Sequence, residues 1–247
     1  MGFQDVADPA ERLKAPEVDA DKDEPGTLYR DLTSYGDVFS PSALASWVFE
    51  KFLGVNPVDE AKNALGGNWE EYAQCAKAWN ALGLFCDDLA KNLESGNSSL
   101  DVTWSGNAAD AAYVYMDTLA KEIAAMKGSF EQLKEQYEIV TDGVWNAAEA
   151  SGDLLSGMLD LAIVIGITMA AGASTSWTVF GPVIAAGAVA GEIVAMINLW
   201  TRLTTVIMEV GTIVSGATAA VEQIGHLHQA NVIKFPLPGK GYDHPGA

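Results

Sequence analysis

Apolar residues recur at alternating steps of three and four along most of this chain, and that spacing restricts the fold to helices packed on helices. One series runs Trp69, Tyr72, Ala76, Trp79, Gly83, Cys86, Ala90, Leu93. A second runs Ala108, Ala112, Tyr115, Leu119, Ile123, Met126, Phe130, Leu133, Tyr137, Val140, Val144, with one stutter at the 119-to-123 step. A third runs Ile193, Met196, Trp200, Leu203, Ile207, Val210, Val214, Ala217, Val221, Ile224. Each puts a continuous apolar seam on one face of a helix. No stretch alternates apolar and polar residues in the way a half-buried strand requires. The expectation is an all-α protein, an elongated antiparallel helical bundle.

Turn chemistry divides the chain. Residues 1–26 carry eight acids against three bases and no apolar run, so they read as a disordered, solvated acidic arm. Within 27–67, Ser40-Pro41 and Asn56-Pro57 both have the form of an N-cap followed by proline at the first helical position. Gly54 and Gly66-Gly67 supply the matching stops, giving two short helices. Residues 68–150 hold the first two seams, separated by the breaker-rich run Ser95–Ser99, and form a helical hairpin. Residues 151–230 form an apolar helical hairpin that completes the bundle, a bundle of four longer helices in all. Residues 231–247, with Pro236, Pro238 and Gly239, are an irregular tail.

Composition removes several function classes. The net charge is −19, from 14 basic and 33 acidic residues, whereas nucleic-acid binding needs a basic stripe. Two cysteines make no disulfide framework, and Cys75 and Cys86, eleven residues apart, sit too far apart along one helix to bridge. Both read as buried free thiols on one face. His226 and His228 point to different faces at their i, i+2 spacing and make no metal site. Adjacent acids such as Glu70/Glu71 and Asp87/Asp88 read as solvated helix faces. No phosphate loop, dinucleotide fingerprint, nucleophile elbow or zinc spacing is present. The expectation is a protein that is not an enzyme and uses no cofactor.

Between the first two seams stands Thr103-Trp104-Ser105-Gly106-Asn107-Ala108-Ala109-Asp110-Ala111, a W-x-G followed by a small-residue run. A hairpin needs a sharp reversal, which Gly106 permits through positive φ, and Trp104 has the area to cover the hairpin's open end. This segment, over about residues 68–150, resembles the WXG100 superfamily, the small helical-hairpin substrates of type VII (ESX-like) secretion. The resemblance implies a protein exported without a cleavable signal peptide, or held at the cell surface, that acts by binding: a carrier or an assembly protein. It also implies contact with the secretion machinery and pairing, as a homo-oligomer or with a co-encoded helical partner. Family substrates carry a tyrosine-x-x-x-acid export signal. Tyr113 and Asp117 match its spacing but also read as an ordinary helix pair, while Tyr137 is followed by Thr141 and Asp142 at the fourth and fifth positions.

The apolar half supports a second class of function. Leu161 to Gly191 is a run of 31 residues without a charge. With turn signals at Gly172 and Gly181-Pro182, and extended past the run's ends, it offers two segments near the ~20 residues a membrane span requires, Leu154 to Gly172 with Asp160 and Val179 to Leu199 with Glu192. Gly187 and Gly191 make a G-x-x-x-G pair suited to close helix packing. The run reads either as an insertable membrane hairpin of a pore-forming protein or as the buried centre of a soluble bundle. Finally, Trp47 and Phe52 on the first short helix either cap the bundle or form a patch for a partner.

Overall fold

The computed structural model describes residues 4–16, 43–67, 69–174 and 187–232. Among these the chain is all-α, with a short 3-10 helix at Pro9–Arg12 and five α-helices. They are α1 (Ala43–Phe52), α2 (Pro57–Leu65), α3 (Trp69–Asp101), α4 (Asn107–Ser174) and α5 (Ala190–Val232). The described residues fall into two compact units. The first lies within Met1–Val18, Glu71–Glu138 and Gly216–Ala247, and the second within Asp19–Glu70 and Ile139–Ser215.

In the first unit α3 and α4 run antiparallel. Tyr72 meets Tyr137 at 5.6 Å between ring centroids, and Trp79 stacks on Phe130 at 5.8 Å. Further along, a Cβ on Gly83 would touch Phe130 and Lys127, so glycine lets the two helices close there. Nearest the turn, Asn97 donates its Nδ2 to the Tyr113 carbonyl. The seam spacing therefore translates directly into contacts. The Ser95–Ser99 run does not break α3, contrary to its composition. Ser98 and Ser99 turn their hydroxyls back onto the carbonyls of Glu94 and Ser95, and the buried Asn97 is satisfied across the hairpin. No proline interrupts the backbone ladder, so α3 continues to Asp101.

The second unit has an apolar core. Val48 and Phe49 of α1 and Val58 of α2 pack with Leu155, Met158 and Ile165 of α4 and with Met196 and Leu203 of α5. Asn56 caps α2 by accepting from the Val58 amide, and Gly54 ends α1 with φ +75. Three glycines of α4 set the close approaches. A Cβ on Gly143 would meet Ile213, one on Gly157 would meet Leu199, and one on Gly166 would meet Leu44. The first two contacts step fourteen residues forward along α4 and fourteen back along α5, so these helices are antiparallel and in heptad register.

Three expectations change. Among the described residues the four longer helices are three, because α4 runs unbroken through Ser151. The change there is one of hydropathy, and with no proline in the segment it does not stop a helix. The acidic arm is not solvated throughout: residues 4–16 take a defined place against α3, while 17–42 lie outside the described residues. Cys86 is buried but Cys75 is exposed. In that part of α3 the buried stripe runs through Ala73 and Ala76 and leaves Cys75 beside it.

Candidate functional site

The reversal between α3 and α4 is built from backbone hydrogen bonds. The amides of Thr103 and Trp104 both donate to the Leu100 carbonyl, closing α3. Gly106 then takes φ +104, the left-handed region that glycine enters without strain, and its carbonyl accepts the first helical bond of α4 from Asp110. Trp104 does not cover the hairpin's open end as its size suggests. It is 45% exposed, in a turn where Leu100 and Val102 are also exposed. A five-residue turn has too little chain to fold the indole back into a seam already filled by the facing helices. Tyr113 is exposed nearly two helical turns into α4, and its carbonyl is held by Asn97. Asp117 accepts from Lys121 at 2.7 Å. Trp104, Gly106, Tyr113 and Asp117 thus all lie at the turn end of the hairpin, with aromatic surface open to solvent.

The apolar segment carries a different kind of surface. Gly172 lies within α4, and Gly181 and Pro182 fall outside the described residues. Gly187 precedes α5 and Gly191 is in its first turn. No described atom lies within 4 Å of a Cβ built on either, so this G-x-x-x-G pair makes no close helix contact among the described residues. That role belongs to Gly143, Gly157 and Gly166, which carry no recognisable motif because their spacing follows the partner side chains. Ile163, Val164 and Ile167 of α4 and Val194 and Ile197 of α5 are exposed. Two helices, over Asn107–Ala171 and Ala190–Leu227, are long and apolar enough to cross a membrane by length and composition.

The short helix α1 folds onto the second unit's core through Ala45, Val48 and Phe49. That burial turns Trp47 outward, while Phe52 packs at the core's margin. The Lys51 ammonium lies 4.5 Å from the Trp47 ring centroid and 5.9 Å from that of Phe52, covering part of the aromatic surface.

One polar site escaped the sequence reading. Asp88 and Asn92 are one turn apart on α3, and both are buried. The Asn92 Oδ1 accepts from the amides of Val6 (2.9 Å) and Ala7 (3.1 Å), and its Nδ2 donates to the Ala7 carbonyl at 2.8 Å. The Arg12 Nε donates to Asp88 Oδ2 at 2.8 Å. That bond and the carboxylate's charge raise the pKa of the guanidinium. Beside it, Asp87 is held below its ordinary value, chiefly by its hydrogen bond from Lys91. The expectation of a solvated Asp87/Asp88 pair therefore fails for Asp88. A signal was present in Asp8-Pro9, the same cap-and-proline start as Asn56-Pro57, with Asp8 accepting from the Ala10 amide.

Among the described residues no group of three or more His, Cys, Asp or Glu side chains is placed to hold a metal ion. His226 is exposed. Comparison of the chain with protein-family models, with curated proteins and with solved structures returns no match.

Proposed function

We propose that this protein is a type VII (ESX-like) secretion substrate that acts by binding, as a helical carrier or assembly protein, and has no enzymatic activity of its own. The observation that carries the reading is the turn between α3 and α4. A W-x-G reverses the chain between two long seamed helices, Gly106 takes φ +104, and Trp104 stands open beside Tyr113 and Asp117. Exposed aromatic surface at a rigid turn is the kind of feature a partner reads. The partners are then the secretion machinery and either a second copy or a co-encoded helical chain, and the destination is outside the cell or at its surface. The test is export from a host with an intact type VII apparatus. Wild type should reach the medium, and Trp104→Ala and Tyr113→Ala should remain in the cell while still folded. Equal export from a host lacking the apparatus would overturn the proposal.

A second reading is membrane insertion through residues 154–200. It is favoured by the two helices of spanning length and by the exposed Ile163, Val164, Ile167, Val194 and Ile197. An acid in the middle of a span costs about 2.5–3.5 kcal/mol, and Asp160 and Glu192 stand off the centre of theirs. Flotation and dye leakage with anionic liposomes at pH 4.5 and 7.5 decide it. Binding that rises at the lower pH, as carboxylates protonate, supports insertion. A chain that stays soluble at both pH values rules it out.

A further inference from the structure

We propose that the Asp88–Asn92 face of α3 is a binding site for a bent, arginine-bearing peptide segment, and that residues 4–16 are its resident occupant in this chain. The reading is independent of secretion and of membrane insertion. The site has two parts with different chemistry. Asn92 presents a carboxamide that accepts from the successive amides of Val6 and Ala7 and donates to the Ala7 carbonyl. Two neighbouring amides converge on one oxygen only where the chain bends, as it does at Val6 and Ala7, so Asn92 reads a backbone bend and not side-chain identity. Asp88 reads charge: its Oδ2 takes the guanidinium of Arg12, and its Oδ1 faces Lys91 at 3.7 Å. The 3-10 turn capped by Asp8 shortens the path between the two contacts and so sets the spacing of backbone and arginine.

The way the arm is held marks it as an occupant and not as part of the core. No residue of the Pro9–Arg12 helix is buried, and Val6 and Leu13 are both more than half exposed. The attachment therefore rests on polar contacts with little apolar burial behind them, which is an attachment that can exchange. The receiving side is the opposite: Asp88 and Asn92 are each more than nine-tenths buried. That burial holds with the arm in place, so release of the arm opens both groups to water or to a second segment that offers the same donors. A partner's bent segment with an arginine at the same spacing satisfies every group the arm satisfies. Tethering gives the arm a high effective concentration, so a ligand in trans binds well only when the arm is released.

The test uses full-length chains and a dye-labelled peptide with the sequence of residues 4–16, read by fluorescence anisotropy. Arg12→Glu in the chain sets a carboxylate against Asp88 and frees the arm while leaving the site intact. That chain should bind the peptide at least about tenfold tighter than wild type does. Adding Asn92→Ala to it should remove the gain. An Asp88→Arg chain repels its own Arg12 and should prefer a peptide carrying Arg12→Glu over the unchanged one, an inversion that a merely structural role for Asp88 would not produce. No tighter binding by the Arg12→Glu chain overturns the proposal, and so does the absence of inversion at Asp88→Arg. Should Asn92→Ala unfold α3, the Asp88→Arg inversion decides alone.

Discussion

Gly166→Ala measures how tightly α1 is seated on α4. A Cβ at this position would stand 2.5 Å from Leu44 Cγ and 2.8 and 3.1 Å from its two methyl carbons. Carbon atoms in contact settle at about 3.5–4.0 Å, so the overlap is close to 1 Å at the branch carbon. Rotation about χ2 moves the methyls but not Cγ, so relief needs a change of the Leu44 χ1 rotamer or a shift of α1. Overpacking of this kind costs about 1–3 kcal/mol. Replacing a mid-helix glycine by alanine returns about 0.5–1 kcal/mol through the unfolded chain's entropy. The net expectation is a loss of about 0.5–2 kcal/mol. Gly211 in the same unit supplies the comparison, because nothing lies within 4 Å of its Cβ position. Gly211→Ala keeps the backbone gain unopposed and should stabilise by about 0.5–1 kcal/mol. Gly157→Ala meets only a Leu199 methyl, at 3.2 Å, and should fall between the two. Urea unfolding followed by far-UV circular dichroism ranks the three variants, provided the slope with denaturant stays constant. On the Gly166→Ala background Leu44→Ala should cost less than it does in the wild type, because it also relieves the overlap. If Gly166→Ala stabilises as much as Gly211→Ala, α1 does not rest on α4 at this glycine and the account of the core fails.

Ser151 is fully buried and its hydroxyl has no hydrogen-bond partner among the described residues, so Ser151→Ala should raise stability by about 1 kcal/mol in urea unfolding; a loss of that size would reveal a partner for the hydroxyl. Trp104→Ala should cost under about 2 kcal/mol, because the ring is nearly half exposed, and a loss in the 3–5 kcal/mol range of a buried aromatic would refute that placement. Of the two thiols, Cys75 should react with Ellman's reagent in the folded protein and Cys86 only after denaturation, since burial both shields Cys86 and raises its pKa; two equally fast thiols would contradict this. Asp87 has its pKa lowered by Lys91, so its contribution to stability is complete above the ordinary value of 3.8 and is lost as pH falls through the lower, folded value. Asp87→Asn should therefore flatten the acid-unfolding profile below about pH 3.8 and leave the region from pH 5 to 8 parallel to wild type, as a titration followed by circular dichroism will show.

The seams were legible in the sequence because a helix imposes its own period on whatever face it buries. Met196, Leu203, Val210, Ala217 and Ile224 recur every seven residues in the sequence, and every one is buried in α5. The caps were legible for the same local reason: Asn56-Pro57, Gly54 and Gly106 act through their own backbone and their nearest neighbours. What needs a second segment was not legible. The spacing on α4 does not tell Gly143, Gly157 and Gly166 from other glycines, because what makes them contact points is Ile213, Leu199 and Leu44 on other helices. Composition alone places a break at Ser95–Ser99, yet the hydroxyls turn inward and Asn97 finds a carbonyl across the hairpin. Trp104 reads as a cover for the hairpin's open end and Trp47 as either a cap or a partner patch, and nothing local to either residue decides how much of its ring stays at the surface. Asp88 and Asn92 show the difference most plainly. Polar residues on α3 read as solvated until an arm some eighty residues away in sequence brings two amides, a carbonyl and a guanidinium to them. Periodicity and capping are properties of one segment and its water, so the sequence carries them. Burial and pairing are properties of two segments, and only the tertiary structure decides which two.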